Sequence, residues 1–439
     1  MHLILVESSK KSEKVKSLLV QAELNNEFTC AFTGGRIFDF KVDGSVESWD
    51  RVNPDIHGYL SKQIHNSESV IALTDADEQG EYIAFQVSTL ANDHGKRTVK
   101  GDLLELTVQG LKNSLSKLRP INYEVVRQCH AERMLNLKVA NFGIEQGFGP
   151  ISIHKLLMAE YLEQTATTNI AYLGGDDKAV VLTKHNKLGD VESNTKERTI
   201  LPPSTLDVYA HSLIANNDSL AVVADRLQDL YEDSMLSYTR SDAHDWYPEA
   251  FDSIELLEES FGYQSNESGF WANCNGTIPH SAIYIIEPNC IHLNLPEVNC
   301  IQQLSLGVLG HNNTRSFVAD IDINLLDSLA ISAGGISAAH PELQILVGLK
   351  ELDLYKPSTS DLQCHALANN LFDGHAIDHQ AILSHRAFAK KHFPTLSDCI
   401  DKKTNPLHSI IQQQSPAQER EINNNLADRA FDELIGLGR

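Results

Sequence analysis

The first 118 residues alternate short apolar runs with longer amphipathic segments, and this pattern restricts the folds open to the chain. Predicted helices begin near Lys10, Glu78 and Val108, and predicted strands have the sequences LILVE, FTCAFTGG, SVIALT and GDLLELT. Strands that alternate with amphipathic helices form a mostly parallel sheet with helices on both faces. We therefore expect residues 1–118 to form an α/β domain.

An acidic cluster follows one of these predicted strands. The sequence LTDADEQGEY places Asp75, Asp77, Glu78 and Glu81 directly after an apolar run that ends at Leu73. Open α/β sheets bind their ligands at the carboxyl ends of their strands, so the cluster lies where a binding site is expected.

Glu7 ends the first predicted strand, and parallel strand ends meet at one edge of a sheet, close to Asp75 and Asp77. Two carboxylates ~5 Å apart repel by about 3 kcal/mol at an effective dielectric constant of ~20. A hard divalent cation such as Mg²⁺ offsets that repulsion and also binds phosphate oxygens. From the residues alone, a second interpretation is equally open: Asp75 and Glu78 cap a helix whose positive end favours acidic side chains.

The rest of the chain predicts further domains. Pro120 ends the alternating pattern, and helical spacing of apolar residues follows it. Strand-like sequence then precedes and follows a helical insertion, with the second strand-like segment running from about Cys290 to Ile323. We therefore predict four domains. They are an α/β domain of residues 1–118, a helical domain of residues 119–165 and 326–439, a two-piece β domain of residues 166–200 and 289–325, and an inserted helical domain of residues 201–288.

Composition limits the class of protein. The 439 residues are 42% hydrophobic and carry a formal net charge of −23. Non-specific DNA affinity comes from Lys and Arg, so this charge argues against a general DNA-coating protein and predicts that any nucleic-acid site is a local basic groove. The seven cysteines show no CxxC spacing, and no apolar run reaches the ~18 residues of a membrane span. We expect a cytoplasmic protein with reduced thiols and no membrane association.

A second set of reactive side chains lies in LYEDSMLSYTRSD, where Tyr238 precedes Arg240 by two residues. Taken alone, the pair is a weak signal, because an exposed Tyr beside Arg is more often a stacking pair. A phenol with a pKa of ~10 is ionised to only ~0.1% at pH 7, so a nucleophilic Tyr needs a neighbouring cation or base. The Arg240 guanidinium also suits negative charge that develops on a phosphoryl group.

Four motifs together resemble one known family. Glu7 in LILVESSKKSEKVKSLL, with TGGRIFDF and ALTDADEQGEYIAFQV, resembles the Toprim domain of type IA DNA topoisomerases. The sequence LSYTRSD is similar to the nucleophile motif of that family, closest to its topoisomerase III branch. IPHSAIYIIEP and LKELDLYKPSTSD resemble two later motifs, and all four keep the family's order along the chain.

The resemblance implies a fold and an activity. The fold would be multidomain, with α/β, α and β parts, and would combine a Toprim domain with a toroidal core. The activity would be ATP-independent: Mg²⁺-dependent cleavage of one DNA strand through a 5′-phosphotyrosyl intermediate, strand passage and religation, for relaxation or decatenation. The implied partners are single-stranded or underwound DNA and a helicase or single-stranded-DNA-binding protein. We expect a monomer associated with the nucleoid.

The resemblance also implies residue roles. The implied catalytic residues are Tyr238 as nucleophile, Arg240 at the transition-state charge, Glu7 as general acid, and Lys11 and His280 in phosphate or proton handling. The implied metal ligands are Glu7, Asp75 and Asp77, supported by Glu81. The implied DNA contacts are Arg36, Arg133, Ser241, Asp242, Lys356 and Ser358.

The sequence departs from the family pattern at several positions. Gln79 stands where the family has the third acid, and Glu78 need not replace it, because neighbouring helix positions point about 100° apart. Glu132 and Asn136 stand where relatives have a basic residue and an Asp, and a GRVQ element is not recognisable. Two alternatives therefore stay open: a catalytically impaired protein that binds single-stranded DNA or a partner, and a different Toprim enzyme such as a primase or nuclease.

Overall fold

The structure is a computed structural model, and it describes the N-terminal third of the chain almost completely and the rest in segments. The described residues are 1–43, 46–164, 170–173, 179–182, 194–199, 201–205, 207–209, 212, 220–241, 243–261, 281–311, 314–320, 372–373, 376–377, 379–396, 398, 432 and 434–435.

The N-terminal part alternates strands and helices, as predicted. Its elements are β1 (His2–Val6), α1 (Ser9–Gln21), β2 (Phe28–Phe32), β3 (Phe38–Asp43), β4 (Val46–Arg51), α2 (Pro54–His65), β5 (Val70–Thr74), α3 (Glu78–Asp93), β6 (Thr98–Asp102) and α4 (Val108–Ser116). The predicted strands LILVE, FTCAFTGG and SVIALT are confirmed as β1, β2 and β5. The antiparallel β3–β4 hairpin and α2 are not among the predicted elements.

A parallel four-stranded sheet forms the centre of this part. Its strand order is β2-β1-β5-β6, and each neighbouring pair is parallel. Apolar side chains of the two central strands, such as Leu5 and Ala72, pack in one core with Ala84 and Val87 of α3. The carboxyl ends of β1, β5 and β6 therefore meet at one edge, as predicted for an α/β domain.

The predicted strand GDLLELT is wrong for most of its length. The observed strand is β6, which ends at Asp102, where it pairs with Thr74 at the end of β5. The chain then forms a loop until Thr107, whose side chain caps α4 by accepting a hydrogen bond from the Gly110 N–H at 2.9 Å. Leu103 and Leu106 are fully buried within this loop, so their apolar character reflects packing rather than strand pairing.

Further helices and strands follow along the chain. They are α5 (Tyr123–Glu145), α6 (Ile153–Gln164), β7 (Ile170–Leu173), β8 (Ala179–Leu182), β9 (Asn194–Thr199), α7 (Leu220–Glu232), α8 (Phe251–Phe261), α9 (Pro296–Leu306), β10 (Thr314–Asp320), β11 (Phe372–Asp373), β12 (Ala376–Ile377) and α10 (His379–His392). The helices predicted after Pro120 are confirmed as α5 and α6.

The strand-like segment predicted from Cys290 to Ile323 is wrong in its first half, where α9 is a helix. Pro296 begins this helix, because its fixed φ suits the first helical position. Val298 and Ile301 are buried at helical spacing, so the apolar pattern belongs to a helix face. The second half is β10, which pairs antiparallel with β9. Strands from the two separated β segments thus pair, while the four-domain division stays a prediction.

The chain divides into two compact units. Unit 1 consists of Met1–Ile153, Tyr231–Ser234 and Pro406–Arg439, and unit 2 of His154–Leu230 and Met235–Asn405. Unit 1 contains the parallel sheet, and unit 2 has a core in which Trp246 and Tyr284 are buried. Among the described residues, no helix has the length and apolar character needed to cross a membrane.

Candidate active site

Glu7 directly follows β1, and the glycine loop after β2 fixes its backbone. The carbonyl of Glu7 accepts hydrogen bonds from the N–H groups of Gly34 at 2.9 Å and Gly35 at 3.2 Å. These glycines have φ values of 70° and 86°, a region that favours residues without a side chain. The Glu7 side chain accepts a hydrogen bond from the N–H of Asp75 at 3.0 Å, so the predicted proximity of the two strand ends is confirmed.

Asp75 and Asp77 follow β5, and the structure gives them different roles. Asp77 caps α3, since its carboxylate accepts a hydrogen bond from the Gly80 N–H at 2.6 Å. Helix capping, which the sequence left open for Asp75 and Glu78, is therefore the role of Asp77. Gly80 is required by close packing, because a Cβ atom there would lie 2.2 Å from the Asp75 carbonyl oxygen.

Lys11 projects from α1 to the same edge. Its Nζ atom lies 2.5 Å from Oδ1 of Asp75, and each of the two side chains is only 2% exposed. Lys and Asp are almost never fully buried unless they are paired, and this pair satisfies that condition. The structure therefore brings together three predicted site residues, Glu7, Lys11 and Asp75.

The electrostatic environment of Glu7 favours its protonated form. Its pKa is raised to about 7, first by burial and then by the negative charges of Asp75 and Asp77, although Lys11 opposes the rise. A carboxyl group with a pKa near the ambient pH exchanges its proton readily in both directions, which is the property of an acid–base catalyst.

Glu81 is held by a separate ion-pair network. Its two carboxylate oxygens accept hydrogen bonds from Arg119 at 3.1 and 2.8 Å, and one of them also accepts from the backbone N–H of Asn122. Lys100 lies 3.8 Å away. The predicted metal-binding role of Glu81 is not tested by these contacts, but they already satisfy both oxygens with cationic and amide donors.

Lys100 is a residue that sequence reasoning missed. It is fully buried in β6, donates a hydrogen bond to the Asp75 carbonyl at 3.2 Å, and pairs with Asp102, which Arg119 also contacts at 3.1 Å. The predicted strand GDLLELT began one residue after Lys100, so the sequence prediction left this Lys outside the sheet, where it needs no buried partner. Asp75 is thus held by one Lys at its carboxylate and another at its carbonyl.

Two predicted DNA-contacting residues lie beside Asp39. Arg133 donates hydrogen bonds to both oxygens of this carboxylate, and Arg36 lies 3.7 Å from it. Arg36 also donates to the side-chain oxygen of Gln79 at 3.2 Å. The pKa of Arg36 is lowered by burial and then by the charge of Arg133, which reflects two guanidinium groups gathered around one carboxylate.

The segment that carries Tyr238 lies in unit 2. Tyr238 itself is 2% exposed. On one side of the segment, the Ser237 N–H donates to the Tyr284 carbonyl at 3.0 Å, and on the other the Thr205 hydroxyl donates to the Thr239 carbonyl at 2.8 Å. The stretch LSYTRS therefore contacts SAIYI, which lies in the next motif of the resemblance, and the earlier stretch LPPST.

Arg240 and Ser241 follow Tyr238 in this segment. Arg240 is partly buried and donates a hydrogen bond to the Gln228 side chain at 3.1 Å. Ser241 is buried, and its hydroxyl donates to the Ser281 carbonyl at 2.7 Å. The predicted site residues that lie outside the described residues are His280, Asp242, Lys356 and Ser358.

The predicted Mg²⁺ site can be tested against this geometry. The carboxylates of Glu7, Asp75 and Asp77 are the oxygen donors that Mg²⁺ prefers. However, in the part of the chain that the structure describes, no group of three or more His, Cys, Asp or Glu side chains is arranged to hold a metal ion. Asp75 instead pairs with Lys11, and Asp77 caps α3. Asp75 and Asp77 are thus engaged by other groups, so the magnesium site stays a prediction and we assign no reaction step to a metal ion.

Comparison with known proteins relates this geometry to a known fold. No protein-family profile matches the sequence. The structure is similar to that of full-length topoisomerase I from Thermotoga maritima, with a TM-score of 0.63 over 99% of this chain and 90% of that chain. The chain has a topoisomerase-like fold. The two sequences are only 14% identical, so the similarity between the two structures shows a shared fold and nothing more.

Proposed function

We propose that this chain is a type IA DNA topoisomerase, in which residues 1–118 form a Toprim domain within a toroidal core. The observation that carries the proposal is Glu7: a carboxyl group with a pKa of about 7 lies beside Lys11 at the carboxyl edge of a parallel sheet. The topoisomerase-like fold, which extends over 99% of the chain, gives that group a context in DNA strand cleavage.

In the proposed reaction, the Tyr238 hydroxyl oxygen attacks a DNA phosphorus and forms a 5′-phosphotyrosyl bond. The bond from phosphorus to the 3′ oxygen breaks, the leaving 3′ oxygen takes a proton from Glu7, and the phenol proton passes to solvent. Arg240 stabilises the charge on the phosphoryl oxygens. Because Tyr238 is 2% exposed, the proposal requires DNA binding to make its hydroxyl accessible. Religation reverses these steps.

Arg36 and Arg133 support the proposed DNA binding. They gather two guanidinium groups around the Asp39 carboxylate, and guanidinium groups bind phosphate with the same paired geometry. A DNA phosphate that replaces Asp39 would keep both cations neutralised. This local basic cluster would give a chain with a net charge of −23 a positively charged site for DNA.

The test is incubation with negatively supercoiled plasmid and with a labelled single-stranded oligonucleotide, in the presence and absence of Mg²⁺. We expect relaxation of the plasmid and a covalent protein–DNA adduct, and we expect Tyr238→Phe to lose both because the nucleophile is removed. Tyr284→Phe is the matched control, since it removes a hydroxyl group from another buried Tyr on the neighbouring stretch.

The outcomes separate the proposed function from its alternatives. Activity that survives Tyr238→Phe would contradict the phosphotyrosyl mechanism and favour another Toprim chemistry, such as that of a primase or nuclease. DNA binding by the wild-type protein with neither adduct nor relaxation would favour a second candidate, a non-cleaving single-stranded-DNA-binding protein. The observation that favours this candidate is Gln79, which stands in the position of an acid and accepts a hydrogen bond from Arg36.

A further inference from the structure

The segment Tyr231–Ser234 belongs to unit 1 and binds the loops at the carboxyl edge of its sheet. The Tyr231 hydroxyl donates a hydrogen bond to the Leu103 carbonyl at 2.7 Å, and the Ser234 hydroxyl donates to the Leu106 carbonyl at 2.6 Å. These carbonyls belong to the apolar loop that follows β6. The segment is therefore anchored at both of its ends.

Tyr231 also contacts Lys11 directly. The Lys11 Nζ atom lies 4.9 Å from the centroid of the Tyr231 ring and 2.5 Å from Oδ1 of Asp75. Tyr231 is fully buried, so the ammonium group lies between a carboxylate and an aromatic face, where little solvent reaches it. A cation at this distance from an aromatic face is attracted by the ring, and the attraction strengthens as water is excluded.

Glu232 acts on the backbone of the same lysine. The Ser8 hydroxyl accepts a hydrogen bond from the Lys11 N–H at 3.1 Å and donates one to Glu232 at 3.2 Å. Ser8 is the residue that caps α1, the helix that carries Lys11. Glu232 thus orients the capping hydroxyl, and Tyr231 orients the ammonium group.

We propose that Lys11, held in place by Tyr231, is the resident counter-ion of the carboxylate edge, and that a divalent cation binds there only by displacing it. This explains why Asp75 is buried beside a cation, although the described acidic side chains form no ready-made metal cluster. Tyr231 is a positioning residue in this arrangement, because it acts through Lys11. The inference rests on the proposed function in that it treats this edge as the reactive site.

The experiment titrates the full chain with MgCl₂ in a calorimeter, without DNA. Lys11→Met removes the competing charge while keeping most of the side-chain volume, so we expect its Mg²⁺ dissociation constant to fall at least about tenfold below that of the wild type. A second series places phenylalanine and increasingly fluorinated phenylalanines at position 231. These rings keep nearly the same volume, while fluorine withdraws the electron density that attracts the cation.

We expect Tyr231→Phe to bind Mg²⁺ within about twofold of the wild type, and the most fluorinated ring to bind it about three to ten times more tightly than Tyr231→Phe. A purely structural role for the ring would give no such gradient. Asp233→Asn is the control, since Asp233 pairs only at the surface with Lys10, and its titration should match the wild type.

Two results would overturn the inference: a flat fluorination series, or equal Mg²⁺ affinity in Lys11→Met and the wild type, including no binding by either. Plasmid relaxation is measured separately on the same proteins. A graded metal series without relaxation would reject the proposed function and keep the counter-ion role of Lys11. Plasmid relaxation without any change in Mg²⁺ affinity along the fluorination series would keep the proposed function and reject the counter-ion role of Lys11.

Discussion

Gly80→Ala is the substitution whose consequences follow most directly from the packing of the site. The added Cβ atom would lie 2.2 Å from the Asp75 carbonyl oxygen, and the distance must lengthen to at least 3.0 Å. Both backbone groups of Gly80 are bonded: its N–H donates to Asp77 at 2.6 Å, and its carbonyl accepts from Thr74 at 2.8 Å. The helix end and the Asp75 loop therefore cannot separate without losing hydrogen bonds.

The expected free-energy change is the difference between two effects. Overpacking of this kind costs about 1–3 kcal/mol. Ala in a helix is favoured over Gly by up to about 1 kcal/mol, which offsets part of that cost. With the full gain subtracted, we expect Gly80→Ala to lower the free energy of unfolding by up to about 2 kcal/mol. It should also weaken adduct formation, because the Asp75 backbone binds Glu7 at 3.0 Å and Lys100 at 3.2 Å.

The matched control is Gly58→Ala. Gly58 lies within α2 and is exposed, and nothing lies within 4 Å of an added Cβ atom there. The same chemical change should therefore stabilise the protein by about 0.5–1 kcal/mol, through reduced entropy of the unfolded chain. Urea denaturation of both variants, followed by circular dichroism, measures the two effects with opposite expected signs.

A stabilised Gly80→Ala variant would refute the reasoning, because it would show that the Asp75 loop adapts freely to the methyl group. Equal shifts for the two variants would do so as well. Destabilisation with undiminished adduct formation would show that the position of Asp75 has no part in cleavage.

The remaining predictions concern two charged residues. The pKa of Glu7 is 4.5 in the unfolded chain and about 7 in the folded protein, so between these pH values the folded protein holds a proton that the unfolded chain has released. The folded protein therefore loses stability as the pH rises from about 4.5 to about 7. Glu7→Gln should remove this loss, which is at most about 3 kcal/mol, and flatten the dependence of Tm on pH without metal. An unchanged profile would count against the raised pKa. Lys100→Met should lower the free energy of unfolding by about 1–3 kcal/mol in urea denaturation, since it removes the buried cation that bonds Asp102 and the Asp75 carbonyl, although Arg119 still contacts Asp102. The surface variant Lys10→Met should change stability by no more than about 0.5 kcal/mol, and equal effects would contradict the buried network.

Local pattern was enough to predict the main elements of the parallel sheet. Apolar runs identified β1, β2 and β5, and helical spacing identified α5 and α6. It was misleading at Leu103 and at α9, where apolar residues are buried for another reason. Short apolar runs do not distinguish a strand from a buried loop or a short helix, because only pairing partners decide between them.

The sequence by itself determined that acidic side chains end β1 and β5, since strand direction and the order of residues place them at one edge. Only the tertiary structure decided what each one does there. Asp77 caps a helix, Glu81 joins Arg119, and Asp75 pairs with Lys11, which is 64 residues away in the chain. Lys11 and Tyr231, which are also far apart in the sequence, likewise come into contact only through folding. Burial of a charge depends on a partner brought close by folding, and local sequence carries no record of that partner.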